Sequence, residues 1–198
     1  MISGGVFMQR AIHLFFPFLM AATLMLVSFS AEAARRTGGN VKSLIVYYSY
    51  SGNTEVVSKA LAEELKADTL VIRDSKRPSV LKAYVSGAFA ARRGKSWPVM
   101  PVNADFSRYD RIFVGAPVWW GRNAPQMNTF VNNTDFLGKP VVVFVTMMGS
   151  NPQEALKALS SRVEARGGRV VSTFSVRMGG VSKADIVTKT KHIASQYK

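Results

Sequence analysis

The chain has 198 residues, of which 26 are Lys or Arg and 12 are Asp or Glu, giving a formal net charge of +14. A hydrophobic fraction of 47% is sufficient for a packed core, so a largely disordered chain is excluded. The absence of Cys excludes disulfides, thiolate catalysis and Cys-ligated metal sites. Because His13 and His192 are the only histidines, neither a Ser-His-Asp triad nor a metal site built from several histidines is expected.

Residues 1–33 have the pattern of a secretory signal peptide. Arg10 precedes an apolar stretch from Ala11 to Ser30, and Ala31-Glu32-Ala33 follows as a small-x-small cleavage pattern. We therefore predict an exported protein, either periplasmic or secreted. An uncleaved membrane anchor is the alternative, because an apolar helix of about 20 residues can cross the hydrocarbon core of a bilayer.

From residue 41 onward, short apolar runs alternate with helical patterns. The predicted strands are 43–48, 69–73, 111–115, 141–146 and 170–176. The predicted helices are 54–65, 80–91, 124–132, 152–166 and 183–195. This alternation predicts a parallel sheet with helices on both faces, because right-handed crossovers place helices on either side. We therefore predict a short linker at 34–40 and one doubly wound α/β domain over 41–198, with a five-stranded parallel sheet in three α/β/α layers.

Three loops of this domain are candidate binding segments, because ligands of doubly wound sheets bind outside the carboxyl ends of the strands. They are 49–54, 116–123 and 147–151. The first loop offers hydroxyls, an amide, a glycine and the free N–H groups of a helix start, which suit a phosphate monoester. It contains no Lys, so it is not a Walker A loop. An ordinary capped turn between a strand and a helix is the alternative interpretation.

The second loop carries two adjacent tryptophans, Trp119 and Trp120, between Pro117 and Pro125. An indole at this position offers a flat face on which an aromatic ligand can stack. Gly121 allows the backbone to approach such a ring and to change its peptide orientation at low cost. We expect one of the two indoles to pack against the domain.

The chain resembles the flavodoxin family in two segments, Tyr47–Thr54 with the sequence YYSYSGNT and Tyr109–Gly121 with a Gly-x-Pro-x-Trp core. The resemblance extends over residues 41–198 and implies a flavodoxin-like fold that binds FMN without a covalent bond and moves electrons. It implies that the FMN phosphate is held by Ser49, Ser51, Gly52, Asn53 and Thr54. It implies that the flavin ring is lined by Pro117, Val118, Trp119, Trp120 and Gly121. The other side of the ring would be closed by Thr146, Met147, Gly149 and Ser150.

The resemblance leaves three functions open. The first is an electron carrier for an exported or membrane-bound redox partner, and the second is an FMN-dependent quinone or nitro reductase. The third is a non-redox binding module, which Met147 and Met148 would permit because the family usually has small residues there. In each redox case the cofactor carries the chemistry, so no catalytic side chain is expected.

The charge of the chain is typical of a solvated basic surface, and it also indicates which partners are expected. A net charge of +14 favours an acidic or membrane-associated redox partner protein, or an anionic membrane surface. Nucleic acid is not expected, because no aromatic-interleaved RNA-binding pattern accompanies the basic residues. Arg122 is the positive charge closest in sequence to the ring loop, and we hypothesise that it stabilises the reduced, anionic flavin.

Overall fold

The computed structural model of the protein describes residues 41–102, 104–149 and 151–198. The predicted signal peptide at 1–33 and the linker at 34–40 lie outside the described residues, as does Ser150. Export of the chain therefore stays a prediction.

Within the described residues the sheet contains six strands. They are β1 (Ser43–Tyr48), β2 (Asp68–Ile72), β3 (Arg111–Trp119), β4 (Arg122–Asn123), β5 (Pro140–Met147) and β6 (Arg169–Arg177). Five of them pair in parallel in the order β2-β1-β3-β5-β6, which confirms the predicted doubly wound parallel sheet. The short β4 pairs antiparallel with β3 and was not predicted, because two residues are too few for a periodic pattern.

The helices follow the strands as the alternation predicts. They are α1 (Asn53–Leu65), α2 (Val80–Lys82), α3 (Ala88–Arg92), α4 (Pro125–Asn132), α5 (Gln153–Glu164) and α6 (Lys183–Ser195). The helix predicted at 80–91 is interrupted, because a π-helical segment, Ala83–Gly87, separates α2 from α3. None of the helices in the described part of the chain has the length and apolarity to cross a bilayer.

The core lies in two layers, one on each face of the sheet. On one face, α1 and α6 pack on the sheet through residues such as Leu61 and Ile186, which contact a buried cluster with Phe113. On the other face, α4 and α5 pack through residues such as Met127 and Leu159. Every residue of β1 is buried, which explains why its sequence is a continuous apolar run without alternation.

The sheet order places the candidate loops together. The chain passes from β1 to β2 on one side and then to β3 on the other side of β1, so the direction of winding reverses between β1 and β3. Loops at the carboxyl ends of these two strands diverge and leave a crevice between them. The loop after β5 lies at the same edge, because β5 pairs in parallel with β3.

Candidate functional site

A cavity of about 500 Å³ opens at the carboxyl edge of the sheet. Its volume lies within the range of about 300–1,000 Å³ that is typical of small-molecule sites. The loops after β1, β3 and β5 form most of its wall, and the segment that begins at α2 completes it. The lining residues are Tyr50, Ser51, Asn53, Val80, Ala83, Pro117, Val118, Trp119, Trp120, Thr146, Met147 and Met148.

The structure brings together most of the residues predicted to hold FMN. Ser51, Asn53, Pro117, Val118, Trp119, Trp120, Thr146 and Met147 all line the cavity. Five further residues do not line the cavity themselves, although each adjoins a lining residue in sequence: Ser49, Gly52, Thr54, Gly121 and Gly149. The contact of any of these residues with FMN stays a prediction.

Three of these five residues have local reasons for their positions. The Oγ of Ser49 accepts a hydrogen bond from the backbone N–H of Glu55 at 3.3 Å, so this hydroxyl serves the first turn of α1. Gly121 has a φ of 77° and completes the tight turn between β3 and β4. Gly149 is exposed beyond the end of β5.

The loop after β1 presents backbone donors to the cavity. Gly52 precedes α1 with a φ of 90°, a left-handed conformation that favours glycine, and no side chain caps the helix at this position. No acceptor among the described residues pairs with the backbone N–H groups of Asn53 and Thr54. Free N–H groups at the positive end of a helix dipole form a binding site for a phosphate group.

Two buried threonines connect the first loop to the third. The Oγ1 atoms of Thr54 and Thr146 lie 2.8 Å apart and share one hydrogen bond. Each hydroxyl carries one proton, so the pair holds two protons and uses only one between its members. The second proton has no acceptor among the described residues, and Thr146 lines the cavity. This pair can therefore donate a hydrogen bond to an oxygen of a bound ligand.

The loop after β3 is a β-hairpin with a two-residue turn. Trp119 pairs with Arg122 across the hairpin, and the turn residues Trp120 and Gly121 have φ values of 51° and 77°. Positive φ at both positions is the geometry of a type I′ turn. A tryptophan is rare in this conformation, and its side chain is 63% exposed. The turn therefore holds the Trp120 indole out of the core and beside the cavity.

Trp119 is the indole that packs against the domain. Its ring meets Tyr48 and Tyr50 edge-on, with centroid distances of 6.2 Å and 5.8 Å. Gly87 of the π-helical segment approaches the same ring, so that a Cβ on this glycine would lie 2.8 Å from Cζ3 of Trp119. The indole is thus fixed from several sides and forms a rigid part of the cavity wall.

Four lining residues were not among those predicted to hold FMN: Tyr50, Val80, Ala83 and Met148. Tyr50 and Met148 lie within the candidate loops 49–54 and 147–151, and the Nδ2 of Asn53 donates to the sulfur of Met148 at 3.5 Å. Val80 and Ala83 were predicted only as the start of a helix, and no local pattern indicated that they line the cavity.

A polar network lies behind the aromatic wall. The hydroxyl of Tyr48 donates to Oδ2 of Asp74 at 3.0 Å, and Nε2 of Gln126 donates to Oδ1 of the same carboxylate at 2.7 Å. Burial, followed by the nearby charge of Asp74, raises the pKa of Tyr48 well above its ordinary value. Tyr48 is therefore a neutral donor at physiological pH that supports the edge of Trp119.

Arg122 does not take the position that our hypothesis requires. Its Nη1 lies 3.0 Å from Oε2 of Glu154 on α5, and the side chain does not line the cavity. The carboxylate draws the guanidinium toward α5, so the structure gives no support to a role for Arg122 beside the flavin ring.

The family model described as Flavodoxin matches residues 42–178. The chain belongs to the flavodoxin family. Among solved structures, it is similar to a flavoprotein in complex with FMN from Lactobacillus acidophilus, with a TM-score of 0.58 and 24% identity over 68% of this chain and 93% of that one. It is also similar to oxidised flavodoxin 2 from Bacillus cereus, with a TM-score of 0.53 and 20% identity over 79% and 97% of the two chains. These likenesses establish the fold.

The match to curated relatives covers only part of the length of those proteins. An NAD(P)H dehydrogenase (quinone) from Azorhizobium caulinodans is 29% identical over 135 residues, which are 68% of this chain and 63% of the relative. NAD(P)H dehydrogenase (quinone) 3 from Rhizobium meliloti is 31% identical over 93 residues, 47% of this chain and 43% of the relative. The chain therefore spans less than two thirds of the length of these relatives.

The residues of the cavity fit FMN. The start of α1 supplies N–H donors for a phosphate, and the Thr54–Thr146 pair supplies a hydroxyl donor. The remaining wall is mainly apolar and aromatic, as a flavin ring requires, and the volume of about 500 Å³ accommodates a ligand of this size.

Proposed function

We propose that the chain is an FMN-dependent oxidoreductase that reduces quinones. The observation that supports this proposal most directly is one cavity whose wall combines hydrogen-bond donors with apolar side chains. Ser51 and Asn53 contribute polar groups to this wall, and Val80, Val118 and Met147 contribute apolar surface. A flat, neutral quinone is compatible with the apolar part of the wall once FMN is bound.

The mouth of the cavity favours a small apolar substrate that reaches the flavin ring directly. Trp120 and Met148 line the cavity and are 63% and 64% exposed, so large apolar side chains stand in water at its opening. Exposed apolar groups near a binding site favour contact with an apolar ligand. The names of the curated relatives, NAD(P)H dehydrogenase (quinone), support the same reaction class.

The chain contributes binding and orientation under this proposal. Backbone N–H groups at the start of α1 hold the phosphate, and the Thr54–Thr146 pair donates to a ligand oxygen. Trp119, fixed by its contacts with Tyr48 and Tyr50, orients the ring. FMN supplies the electron-transfer chemistry when it is bound, so the chain needs no catalytic acid or base.

The test is a quinone reductase assay on the purified chain after incubation with FMN and desalting. We expect a retained flavin spectrum, and oxidation of NADH or NADPH that depends on an added benzoquinone. Retained flavin without quinone-dependent oxidation of either nicotinamide would contradict the reductase proposal and leave FMN binding intact.

A threonine variant tests how FMN is held. Thr146→Val keeps the shape of the side chain but removes one of the two paired hydroxyls, so the affinity for FMN should fall about tenfold. Thr190→Val is the matched control, because the Thr190 hydroxyl is also buried but donates to the Ile186 carbonyl within α6. Equal FMN affinities in the two variants would exclude a role for the threonine pair.

An electron carrier for an exported or membrane-bound redox partner is the second candidate. The net charge of +14 favours it, because a basic surface attracts acidic proteins and anionic membranes. A reductive titration followed by visible absorption separates the candidates. Two resolved one-electron steps favour the carrier, whereas a single two-electron step favours the reductase. A folded chain that retains no flavin would favour a non-redox binding module.

Export is part of the carrier proposal and has its own test. Removal of the predicted signal peptide would produce a mature chain that begins after Ala33. N-terminal sequencing of the protein from the periplasm or the medium should therefore find Ala34 first. A full-length chain in the membrane fraction would instead favour an uncleaved anchor.

A further inference from the structure

A second cavity, of about 260 Å³, lies beside the β3–β4 hairpin and does not belong to the candidate FMN site. Its wall carries four arginines from separate parts of the fold. Arg92 and Arg93 come from the end of α3, Arg122 from β4, and Arg162 from α5. We call this site the arginine cavity.

The fold holds one of these arginines in a defined position. Nη2 of Arg162 donates to the carbonyl of Gly94 at 2.8 Å, and Nη1 donates to Oδ1 of Asn132 at 3.3 Å. A Cβ on Gly94 would lie 3.1 Å from Nη2, so the absence of a side chain there leaves room for the guanidinium. Ala158 precedes Arg162 by four residues on the same face of α5, and its small side chain leaves space in the cavity.

The charges of the arginine cavity are only partly balanced. No carboxylate lines the cavity in the described part of the chain. Of the four arginines, only Arg122 forms an ion pair with a described residue, Glu154, at 3.0 Å. The guanidinium groups of Arg92 and Arg93 have no hydrogen-bond acceptor among the described residues. Like charges in one concave site repel each other, and a bound anion removes that repulsion.

We propose that the arginine cavity binds a phosphate-bearing anion of about the size of pyrophosphate. A guanidinium presents two parallel donors that match two oxygens of a phosphate, and four such groups around one cavity suit an anion that carries several negative charges. The volume is slightly below the lower limit of about 300 Å³ for drug-sized ligands, so the site accommodates one or two phosphate groups and not a whole dinucleotide.

Calorimetric titration of the full chain with inorganic pyrophosphate tests the proposal. One equivalent of FMN is added first, so that the phosphate loop at the start of α1 does not compete for the probe. Arg162→Ala should weaken pyrophosphate binding about tenfold. Lys157→Ala is the matched control, because it removes one positive charge from an exposed position on the same helix outside the cavity wall. It should weaken binding by less than about twofold.

A second variant tests the same site in the opposite direction. Glu154→Gln removes the carboxylate that pairs with Arg122, so that the Arg122 guanidinium becomes available to the anion. Pyrophosphate binding should become severalfold tighter. Glu164→Gln is the matched control, because it is the same change on the same helix outside the cavity wall, and it should have little effect. This test also guards against misfolding, because a variant that binds more tightly must be folded.

The phosphate can belong to a free metabolite or to a lipid headgroup, and a vesicle assay separates these sources. Binding to vesicles of phosphatidylcholine with a minor fraction of phosphatidic acid, lost in Arg162→Ala but not in Lys157→Ala, supports a headgroup. Binding of pyrophosphate alone, with the same dependence on Arg162, supports a free phosphate compound. Absence of binding to both probes at low salt would overturn the proposal, as would equal losses in the Arg162 and Lys157 variants.

Discussion

Gly115→Ala is expected to destabilise the domain because the centre of the sheet has no room for a methyl group. Gly115 lies on β3 opposite Phe144 of β5 in the parallel register. A Cβ on this glycine would lie 2.1 Å from Cζ of Phe144 and 2.6 Å from two further ring atoms. The Phe144 ring is itself stacked on Phe174 of β6, with centroids 5.2 Å apart and an interplanar angle of 6°.

The magnitude follows from this three-strand arrangement. Overpacking a filled core costs about 1–3 kcal/mol, and we expect about 2–3 kcal/mol here because Phe174 prevents the Phe144 ring from moving aside. The gain of about 0.5–1 kcal/mol from replacing a glycine within a strand is too small to offset the clash. Equilibrium unfolding in urea should show a lower midpoint and an unchanged m-value.

A double-mutant cycle tests whether the clash with the Phe144 ring causes the loss of stability. In a Phe144→Leu background the ring is absent, so Gly115→Ala should cost at least about 1 kcal/mol less than in the wild type. Equal costs in the two backgrounds, within about 0.5 kcal/mol, would refute the assignment of the effect to the ring. The FMN cavity gives a second readout, because Gly115 stands on the strand that leads to its wall.

Two further predictions concern the wall of the FMN cavity. Tyr48 has a pKa raised above its ordinary value of 10.0, so its neutral form contributes stability that is complete below pH 10 and is lost as the pH rises further. Urea unfolding on both sides of pH 10 should show that the wild type loses its advantage over Tyr48→Phe at high pH, and parallel profiles would contradict this. Gly87→Ala places a Cβ 2.8 Å from Cζ3 of Trp119 and should displace the indole, lowering FMN affinity severalfold. FMN fluorescence titration measures this loss, which a Gly87→Ala/Trp119→Phe variant should partly reverse; unchanged affinity in the single variant would contradict the proposed wall.

The sequence predicted the bounds of strands and helices well where the residue pattern was continuous. The first strand was predicted at 43–48, and β1 is Ser43–Tyr48, because a fully buried strand is a run of apolar residues. The last helix was predicted at 183–195, and α6 is Lys183–Ser195, with Ser182 as a capping residue whose Oγ accepts from the Asp185 N–H. Both features depend on neighbouring residues in the chain.

The loops that form the site could be predicted from the sequence, but not all of the side chains that line the cavity could. Parallel strands end at one edge of the sheet, so the sequence was sufficient to place the loops after β1, β3 and β5 together. It did not reveal which side chains turn inward. Ser49 serves the backbone of α1, and Val80 enters the wall from a segment that the motif does not include.

The sequence by itself determined the alternation of strands and helices, and with it the doubly wound sheet and the edge at which a ligand binds, because these follow from short-range patterns. Only the tertiary structure decided the contacts between distant residues. Gly87 meets Trp119 across an interrupted helix, Thr54 meets Thr146 across 92 positions, and Glu154 pairs with Arg122. Each of these contacts depends on packing between separate elements, and local residue patterns do not specify that packing.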